Sequence, residues 1–109
     1  MCGICGYIEK KETGQDLNPL INRMTKLMTH RGPDEDGFFV SRNVALGMRR
    51  LKVIDLTTGA QPIFNETKDI AIFYNGEVYN YRELREDLIR KGHVFRTHSD
   101  TETLVHAYE

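Results

Sequence analysis

The order of helices and strands along this sequence predicts an α+β fold, with helices packed on antiparallel sheets. Apolar residues recur at helical spacing in two stretches, and several shorter apolar runs have the length of strands. The predicted order, β-α-β-β-β-α-β-α, contains no regular βαβ units, which argues against a doubly wound parallel sheet. A chain of 109 residues, 39% hydrophobic and 28% charged, is sized for at most one globular domain.

The first half of the chain is predicted to hold one helix among strands. Asn18 and Pro19 are typical of a helix start, and the apolar face that follows them continues to Met28. The glycines between 2 and 8 suit a strand that another backbone approaches closely. The predicted elements are a strand at 2–8, a helix at 18–28, a turn-rich segment at 30–37, paired strands at 38–40 and 44–48, and an extended stretch at 51–54.

The second half is predicted to contain two helices, each opened by a capping box. Asn80 with Glu83 begins one helix, which Gly92 ends, and Ser99 with Glu102 begins the other. Because the sequence stops inside this last helix, we expect the protein to be longer. The predicted elements are a loop at 57–62, a strand at 70–74, a helix at 80–92, a strand at 93–97 and a helix from 99 onward.

Charge and hydropathy exclude several partners. A net charge of −1 gives no basic field, so we expect no binding of nucleic acid. No apolar run approaches the roughly 20 residues of a membrane span, and no signal peptide is evident. Two cysteines without a secretory signal predict a cytoplasmic protein with free thiols.

Cys2 directly follows the initiator methionine, and this position predicts a nucleophile. A small second residue allows Met1 to be trimmed, which leaves a cysteine with both a thiol and a free α-amino group. These groups titrate close together, at roughly 8.5 and roughly 7.7–8.0, so the amine can act as general base for the thiol. Such a pair is suited to acyl transfer from an amide or ester. The alternative is an ordinary small residue near a chain start.

Asn75 and Gly76 follow a predicted strand and allow two interpretations. An Asn-Gly pair between strand-like segments is a strong hairpin signal, and the dipeptide alone favours a plain turn. The same turn could also direct the Asn75 amide and the Gly76 N–H at one point, as an oxyanion hole.

Three charged residues are further candidates for binding. Arg50 lies between apolar stretches, where its planar guanidinium could hold a carboxylate through two hydrogen bonds. Glu77 and Asp100 lie beside turns or helix starts and could hold an ammonium group. The alternatives are a surface arginine at a strand end and an acid favoured by the helix dipole.

Cys2 and Cys5 also match a C-x-x-C pattern, which suggests a thiol redox pair or a metal module. A redox pair of this kind normally follows a strand and opens a helix, and neither condition is met. A zinc site would need two histidines, and His93 lies too far from Cys5 for a compact finger. We therefore expect no metal in this segment.

Six segments together resemble the N-terminal glutaminase domain of class II glutamine amidotransferases, most closely the branch of glutamine-hydrolysing asparagine synthetases. They occur in the order found in that family and span nearly the whole chain. The matching strings are Met1-Cys2-Gly3-Ile4-Cys5-Gly6, His30-Arg31-Gly32-Pro33-Asp34, Arg50-Leu51-Lys52-Val53-Ile54-Asp55, Gly59-Ala60-Gln61-Pro62-Ile63, Asn75-Gly76-Glu77-Val78-Tyr79-Asn80 and Ser99-Asp100-Thr101-Glu102.

This resemblance implies an N-terminal-nucleophile αββα sandwich with antiparallel sheets, of which residues 1–109 would be the N-terminal part. It implies that Cys2 attacks the carboxamide of L-glutamine while Asn75 and Gly76 hold the oxyanion. Further residues would bind the substrate: Arg50, Leu51, Ile54, Asn75, Gly76, Glu77 and Asp100.

The resemblance also implies a C-terminal synthetase domain beyond residue 109 that receives the ammonia and activates aspartate with ATP and Mg²⁺. No cofactor is expected in the present segment, and a homodimer is possible. We expect the isolated piece to be inactive. The other hypotheses are a catalytically silent domain that only packs or regulates, and the thiol redox or metal module.

Overall fold

The computed structural model describes residues 2–52 and 59–109, within two compact units, Met1–Lys52 and Val53–Glu109. We call them the N-terminal unit and the C-terminal unit. Both mix helix with antiparallel sheet, as the α+β prediction requires. The elements in chain order are β1 (Gly3–Ile8), α1 (Asn18–Lys26), β2 (Glu35–Ser41), β3 (Val44–Arg50), β4 (Ile63–Phe64), β5 (Ala71–Ile72), α2 (Tyr81–Arg90) and α3 (Thr101–Tyr108).

The N-terminal unit is a three-stranded antiparallel sheet with helix α1 on one face. The strand order is β1-β3-β2, so β3 is central. Ser41 pairs with Val44, which leaves a two-residue connection between β2 and β3 and confirms the predicted pair. The core lies between helix and sheet, where Leu17, Ile21 and Ala45 are buried against Cys5, Met24, Phe38 and Val40.

The spacing of apolar residues explains this core. Leu17, Ile21 and Met24 recur at intervals of three and four residues and so share one helical face. Phe38 and Val40 are two apart on β2 and project to the same side of the sheet. Gly47 faces the helix, and a methyl group there would overlap Thr25 Oγ1 and crowd Ile21. Glycine at this position therefore lets α1 approach β3 closely.

The C-terminal unit packs helices α2 and α3 against each other, and α3 against the two-stranded sheet β4-β5. Apolar residues from each part are buried, namely Ile63, Leu88 and Val105. Polar residues of α3 are buried as well: Thr101, Glu102, Thr103 and His106. None of the described helices is long and apolar enough to cross a membrane.

Several boundary predictions differ from the structure. The predicted strand at 70–74 is reduced to Ala71–Ile72. Residues 53–58, and with them most of the predicted stretch at 51–54, lie outside the described residues. The hairpin interpretation of Asn75 and Gly76 is wrong, because a bend at Gly76 leads into helix α2 and not into a strand.

The predicted strand at 93–97 is also wrong, because a carboxylate replaces a strand partner. The Glu102 carboxylate accepts the N–H groups of Arg96 at 2.8 Å and Thr97 at 2.7 Å. The Ser99–Glu102 capping box is therefore incomplete. Ser99 Oγ accepts the Thr101 N–H, but the Glu102 carboxylate binds the N–H groups of Arg96 and Thr97. Asn80 precedes α2 as predicted, but without a side-chain cap hydrogen bond.

We expect Gly47→Ala to loosen α1 from the sheet. The added methyl group overpacks the interface, a change that typically costs about 1–3 kcal/mol. Thr25→Ala alone removes the hydrogen bond from Thr25 Oγ1 to the Ile21 carbonyl. The double variant should be less destabilised than the sum of the single variants, because the oxygen that the methyl meets is gone. Hydrogen exchange of the β3 amides in the full-length protein measures this, and strictly additive effects would contradict it.

Candidate active site

The Cys2 sulfur lies at the end of β3. Leu51 donates its backbone N–H to Cys2 Sγ at 3.4 Å, and Sγ lies 3.7 Å from the Leu51 carbonyl oxygen. Arg31 Nε donates to the Cys2 carbonyl at 3.4 Å. The Cys2 thiol is thus held by the backbone at the end of β3. Leu51, which makes these contacts, is also one of the predicted binding residues.

The register of β1 on β3 places Cys2 and Arg50 on one face of the sheet. Gly3 pairs with Arg49, so the same register sets Cys2 opposite Arg50. Opposite residues of an antiparallel pair project to the same side, with Cβ atoms about 4.5–5.5 Å apart. Continued by one residue, the register therefore makes Cys2 a neighbour of Arg50, the predicted carboxylate anchor.

Arg50 is buried and already faces one acid. Its guanidinium Nη1 lies 3.5 Å from Glu35 Oε2, and Lys52 Nζ lies 3.0 Å from the same oxygen. The Arg50 side chain is 9% exposed. Glu35 therefore interacts with two cations, and its single charge does not neutralise both of them.

The same strand geometry argues against a redox pair. Cys5 projects toward α1, where Sγ lies 3.6 Å from Thr25 Oγ1, whereas Cys2 projects to the opposite face. Three residue steps along a strand span about 10 Å, and a disulfide needs Cα atoms closer than about 7 Å. Neither cysteine forms a disulfide.

The turn after α1 is tied to β3 by backbone and side-chain hydrogen bonds. Arg49 Nε donates to the Gly32 carbonyl at 2.8 Å, and the Lys52 N–H donates to Asp34 Oδ2 at 2.8 Å. Gly32 lies against the backbone of Arg49, where a Cβ would clash. This turn brings Arg31 to the Cys2 carbonyl, a role that the sequence did not reveal.

In the C-terminal unit, Asn75, Gly76 and Glu77 form an exposed bend between β5 and α2. The Tyr74 ring lies beneath this bend, since a Cβ on Gly76 would meet the Tyr74 hydroxyl and ring. The Tyr74 hydroxyl donates to the Glu77 carbonyl at 3.5 Å. Glycine at 76 thus allows the bend to fold over an aromatic ring.

Gln61 holds the residue before Asn75 through both ends of its amide. Its Nε2 donates to the Tyr74 carbonyl at 3.1 Å, and its Oε1 accepts the Tyr74 N–H at 2.7 Å. The residue is 7% exposed. A buried side chain here makes the two hydrogen bonds that a neighbouring strand would otherwise make.

Asp100 holds the other end of the bend. Its Oδ2 accepts the Val78 N–H at 2.8 Å, and the residue is 6% exposed. The segment 74–78 is therefore fixed at both ends and supported by Tyr74 between them. Asp100 thus has a positioning contact that the sequence did not predict.

The predicted site residues accordingly fall into two groups, one in each unit. Cys2, Arg50 and Leu51 lie together in the N-terminal unit, and Ile54 lies outside the described residues. The second group, in the C-terminal unit, is Asn75, Gly76, Glu77 and Asp100. Gln61 and Tyr74 were given no role, because nothing in their spacing signals a hydrogen bond across 13 residues.

Comparison with known proteins finds the same family along the whole chain. The family model described as "Glutamine amidotransferase domain" matches residues 1–109. Asparagine synthetase [glutamine-hydrolyzing] 1 of Bacillus subtilis (strain 168) is 46% identical over 110 residues, which cover 99% of this chain and 17% of that protein. The probable asparagine synthetase [glutamine-hydrolyzing] of Dictyostelium discoideum is 42% identical, with 100% and 20% covered.

A third relative gives the same result. Asparagine synthetase [glutamine-hydrolyzing] 3 of Arabidopsis thaliana is 41% identical over 109 residues, which cover 100% of this chain and 18% of that protein. The chain therefore spans a fifth or less of the length of these curated relatives.

We expect Gln61→Leu to release the backbone at Tyr74. The substitution keeps the size of the side chain but leaves a buried N–H and carbonyl unpaired, at a cost of about 1–3 kcal/mol for each group. Amide hydrogen exchange at 74–76 in the full-length protein should accelerate. Gln15→Leu, the same change on an exposed loop, is the control. Unchanged exchange in Gln61→Leu would show that the amide does not hold this segment.

Proposed function

The chain belongs to the glutamine amidotransferase domain family, and from that membership we propose that it is the leading part of a domain that hydrolyses glutamine to glutamate and ammonia. The observation that carries the proposal is the match of the family model from residue 1 to residue 109, with Cys2 directly behind Met1. The position of Cys2 Sγ against Leu51 and on the face of Arg50 supports it.

We further propose the N-terminal-nucleophile αββα sandwich as the complete fold. The N-terminal unit supports this with one antiparallel sheet and one helix packed on it. Residues 1–109 would form the N-terminal part of that sandwich, and the remaining strands and helices would follow residue 109. The isolated piece would be inactive, because a sandwich that lacks strands exposes sheet edges and part of its core.

The first half of the reaction forms a thioester. After removal of Met1, the Cys2 amine takes the thiol proton while Sγ attacks the carboxamide carbon of glutamine. The C=O electron pair moves onto oxygen, where the Asn75 amide and the Gly76 N–H donate to it. The tetrahedral intermediate collapses as the amine passes its proton to the leaving nitrogen, so that the C–N bond breaks and ammonia departs.

Water completes the cycle. The same amine takes a proton from water, whose oxygen attacks the thioester carbon; the C–S bond then breaks, the thiol is restored and glutamate leaves. The substrate would be oriented by its two charged ends. Arg50 would hold the α-carboxylate, and Glu77 and Asp100 would hold the ammonium or amide groups, with backbone near Leu51 and Ile54 completing the pocket.

For the whole protein we propose the activity named for the curated relatives, glutamine-hydrolysing asparagine synthesis. Ammonia would pass to a C-terminal synthetase domain that activates aspartate with ATP and Mg²⁺, both bound beyond residue 109. The extent of the relatives beyond this chain supports such a partner domain. We also propose a cytoplasmic location and allow for a homodimer.

We expect Cys2→Ala to abolish glutamine hydrolysis while ammonia-dependent asparagine formation persists, because only the nucleophile is lost. A glutamine-analogue electrophile should label wild-type Cys2 and not the variant, as measured by mass spectrometry of the full-length protein. Cys5→Ala is the control, since Cys5 faces α1 and should retain both labelling and hydrolysis.

Two results would contradict the role of Cys2. An unlabelled wild-type protein would favour the silent packing domain. A retained Met1 with undiminished ammonia release would exclude the free amine as the base.

We expect Asn75→Ala to lower the kcat of glutamine hydrolysis by about 10²–10³-fold with little change in glutamine binding. Loss of one oxyanion donor acts on the transition state and not on the ground state. Asn80→Ala is the matched control, because Asn80 is exposed and makes no side-chain cap hydrogen bond at α2. Steady-state and binding measurements separate the two effects. A loss below twofold would refute the donor role of Asn75.

A further inference from the structure

A second cluster of polar side chains lies in the C-terminal unit, away from the proposed oxyanion bend. It joins three segments: the turn after β4, the connection after α2, and the end of α3. The four members are Glu66, His93, His106 and Glu109, and one ligand atom of each lies within 4.8 Å of the others. Two imidazoles with two carboxylates make a ligand set that suits Zn²⁺ and similar transition-metal ions.

The spacing of these atoms fits a single ion. Metal–ligand distances of about 2.0–2.2 Å in a tetrahedron require ligand atoms about 3.3–3.6 Å apart. His93 Nδ1 lies 3.1 Å from Glu66 Oε1 and 3.5 Å from Glu109 Oε2. His106 Nδ1 lies 3.2 Å and 3.9 Å from the same two oxygens. Four of the six ligand–ligand distances therefore already approach those of a tetrahedral site.

His106 is held in the orientation that a metal ligand needs. Its Nε2 lies 3.3 Å from Glu102 Oε1, and both side chains are 1% exposed. A carboxylate that accepts the proton of one ring nitrogen leaves the other nitrogen with a lone pair, an arrangement typical of metal-binding histidines. Phe95 packs against the ring with centroids 4.6 Å apart and fixes its plane. Nδ1 therefore points at the cluster.

Two atoms inside the cluster have unused bonding capacity. Within the described residues, His106 Nδ1 and Glu66 Oε2 are buried and make no hydrogen bond. A buried polar atom without a partner costs about 1–3 kcal/mol, so such an atom calls for an explanation. A lone pair on His106 Nδ1 would face the Glu66 carboxylate and be repelled by it. A cation between the two side chains removes the repulsion and gives His106 Nδ1 a partner.

The backbone orients the Glu66 carboxylate as a ligand. The Val94 N–H donates to Oε1 at 2.9 Å and so orients the carboxylate.

We propose that Glu66, His93, His106 and Glu109 bind one Zn²⁺-type transition-metal ion as a structural site. Four protein ligands fill a tetrahedral shell and leave no open position for a substrate, which is characteristic of structural and not catalytic sites. The ion would tie α3 to the β4–β5 turn and to the segment after α2. The proposal replaces the sequence-based expectation that the segment holds no metal, and it does not depend on glutamine hydrolysis.

Metal binding to the full-length protein tests this proposal. The protein, stripped of metal, is titrated with Co²⁺, and we expect visible absorption from one tetrahedral ion that one equivalent of Zn²⁺ displaces. His93→Gln and Glu109→Gln should each weaken binding more than about 100-fold, because even loss of an outer partner typically costs 10–100-fold. His98→Gln, at an exposed histidine of the same unit, is the control and should bind as wild type does.

Thermal unfolding gives a second readout that is independent of activity. Zn²⁺ should raise the unfolding temperature of the wild type and of His98→Gln, and not that of His93→Gln. Because His93 and Glu109 are partly exposed, their variants should fold even if the buried His106→Gln does not. Absence of cobalt absorption in the wild type, or an equal metal stoichiometry in all variants, would overturn the proposal. Either result would indicate that the four side chains interact with one another and hold no ion.

Discussion

The antiparallel ladder between β1 and β3 is the interaction on which the N-terminal unit depends. Its register sets Cys2 opposite Arg50 and directs Cys5 toward helix α1. Two cysteines that are three residues apart in the sequence therefore lie in different environments. The sulfur of Cys2 is then fixed by the backbone of Leu51, which continues the central strand. The position of the Cys2 thiol is therefore a property of the sheet and not of a local loop.

The C-terminal unit holds its candidate residues by other means. Among the residues that the structure describes, its sheet has two short strands, and Tyr74 lies beyond the end of β5. Side chains supply the missing contacts: Gln61 pairs with Tyr74, and Asp100 pairs with Val78. Asp100 precedes helix α3, and the proposed metal site lies at the other end of that helix. Helix α3 thus connects the support of the bend with the proposed metal site.

Local patterns predicted the elements whose stability is local. The apolar face of α1, the two-residue connection between β2 and β3 and the start of α2 all follow from short-range spacing. The strand at 93–97 failed because its β-like composition was overridden by one buried carboxylate, Glu102, which takes its N–H groups. Single-sequence spacing cannot reveal that competition.

The candidate residues also divide into those that a local pattern indicates and those that depend on contacts between distant segments. Cys2 was named as a candidate from its position behind Met1, and Arg50, Asn75 and Asp100 were named from local patterns before the family resemblance gave each of them a role. Gln61 and the cluster around His106 were not predicted, since their contacts join distant segments. The helical spacing of Glu102, His106 and Glu109 was a usable signal, because residues three and four apart share one helical face.

The two groups of candidate residues differ in what supports them, and this affects how readily each group can change over time. A side chain, and not a strand, supports the residue before Asn75, so a change of one codon alters that support without changing the register of any strand. Around Cys2 the support is a ladder register, and a shift of one residue would turn every side chain of β1 to the other face. Sequence drift should therefore accumulate more easily beneath the bend than beside the thiol.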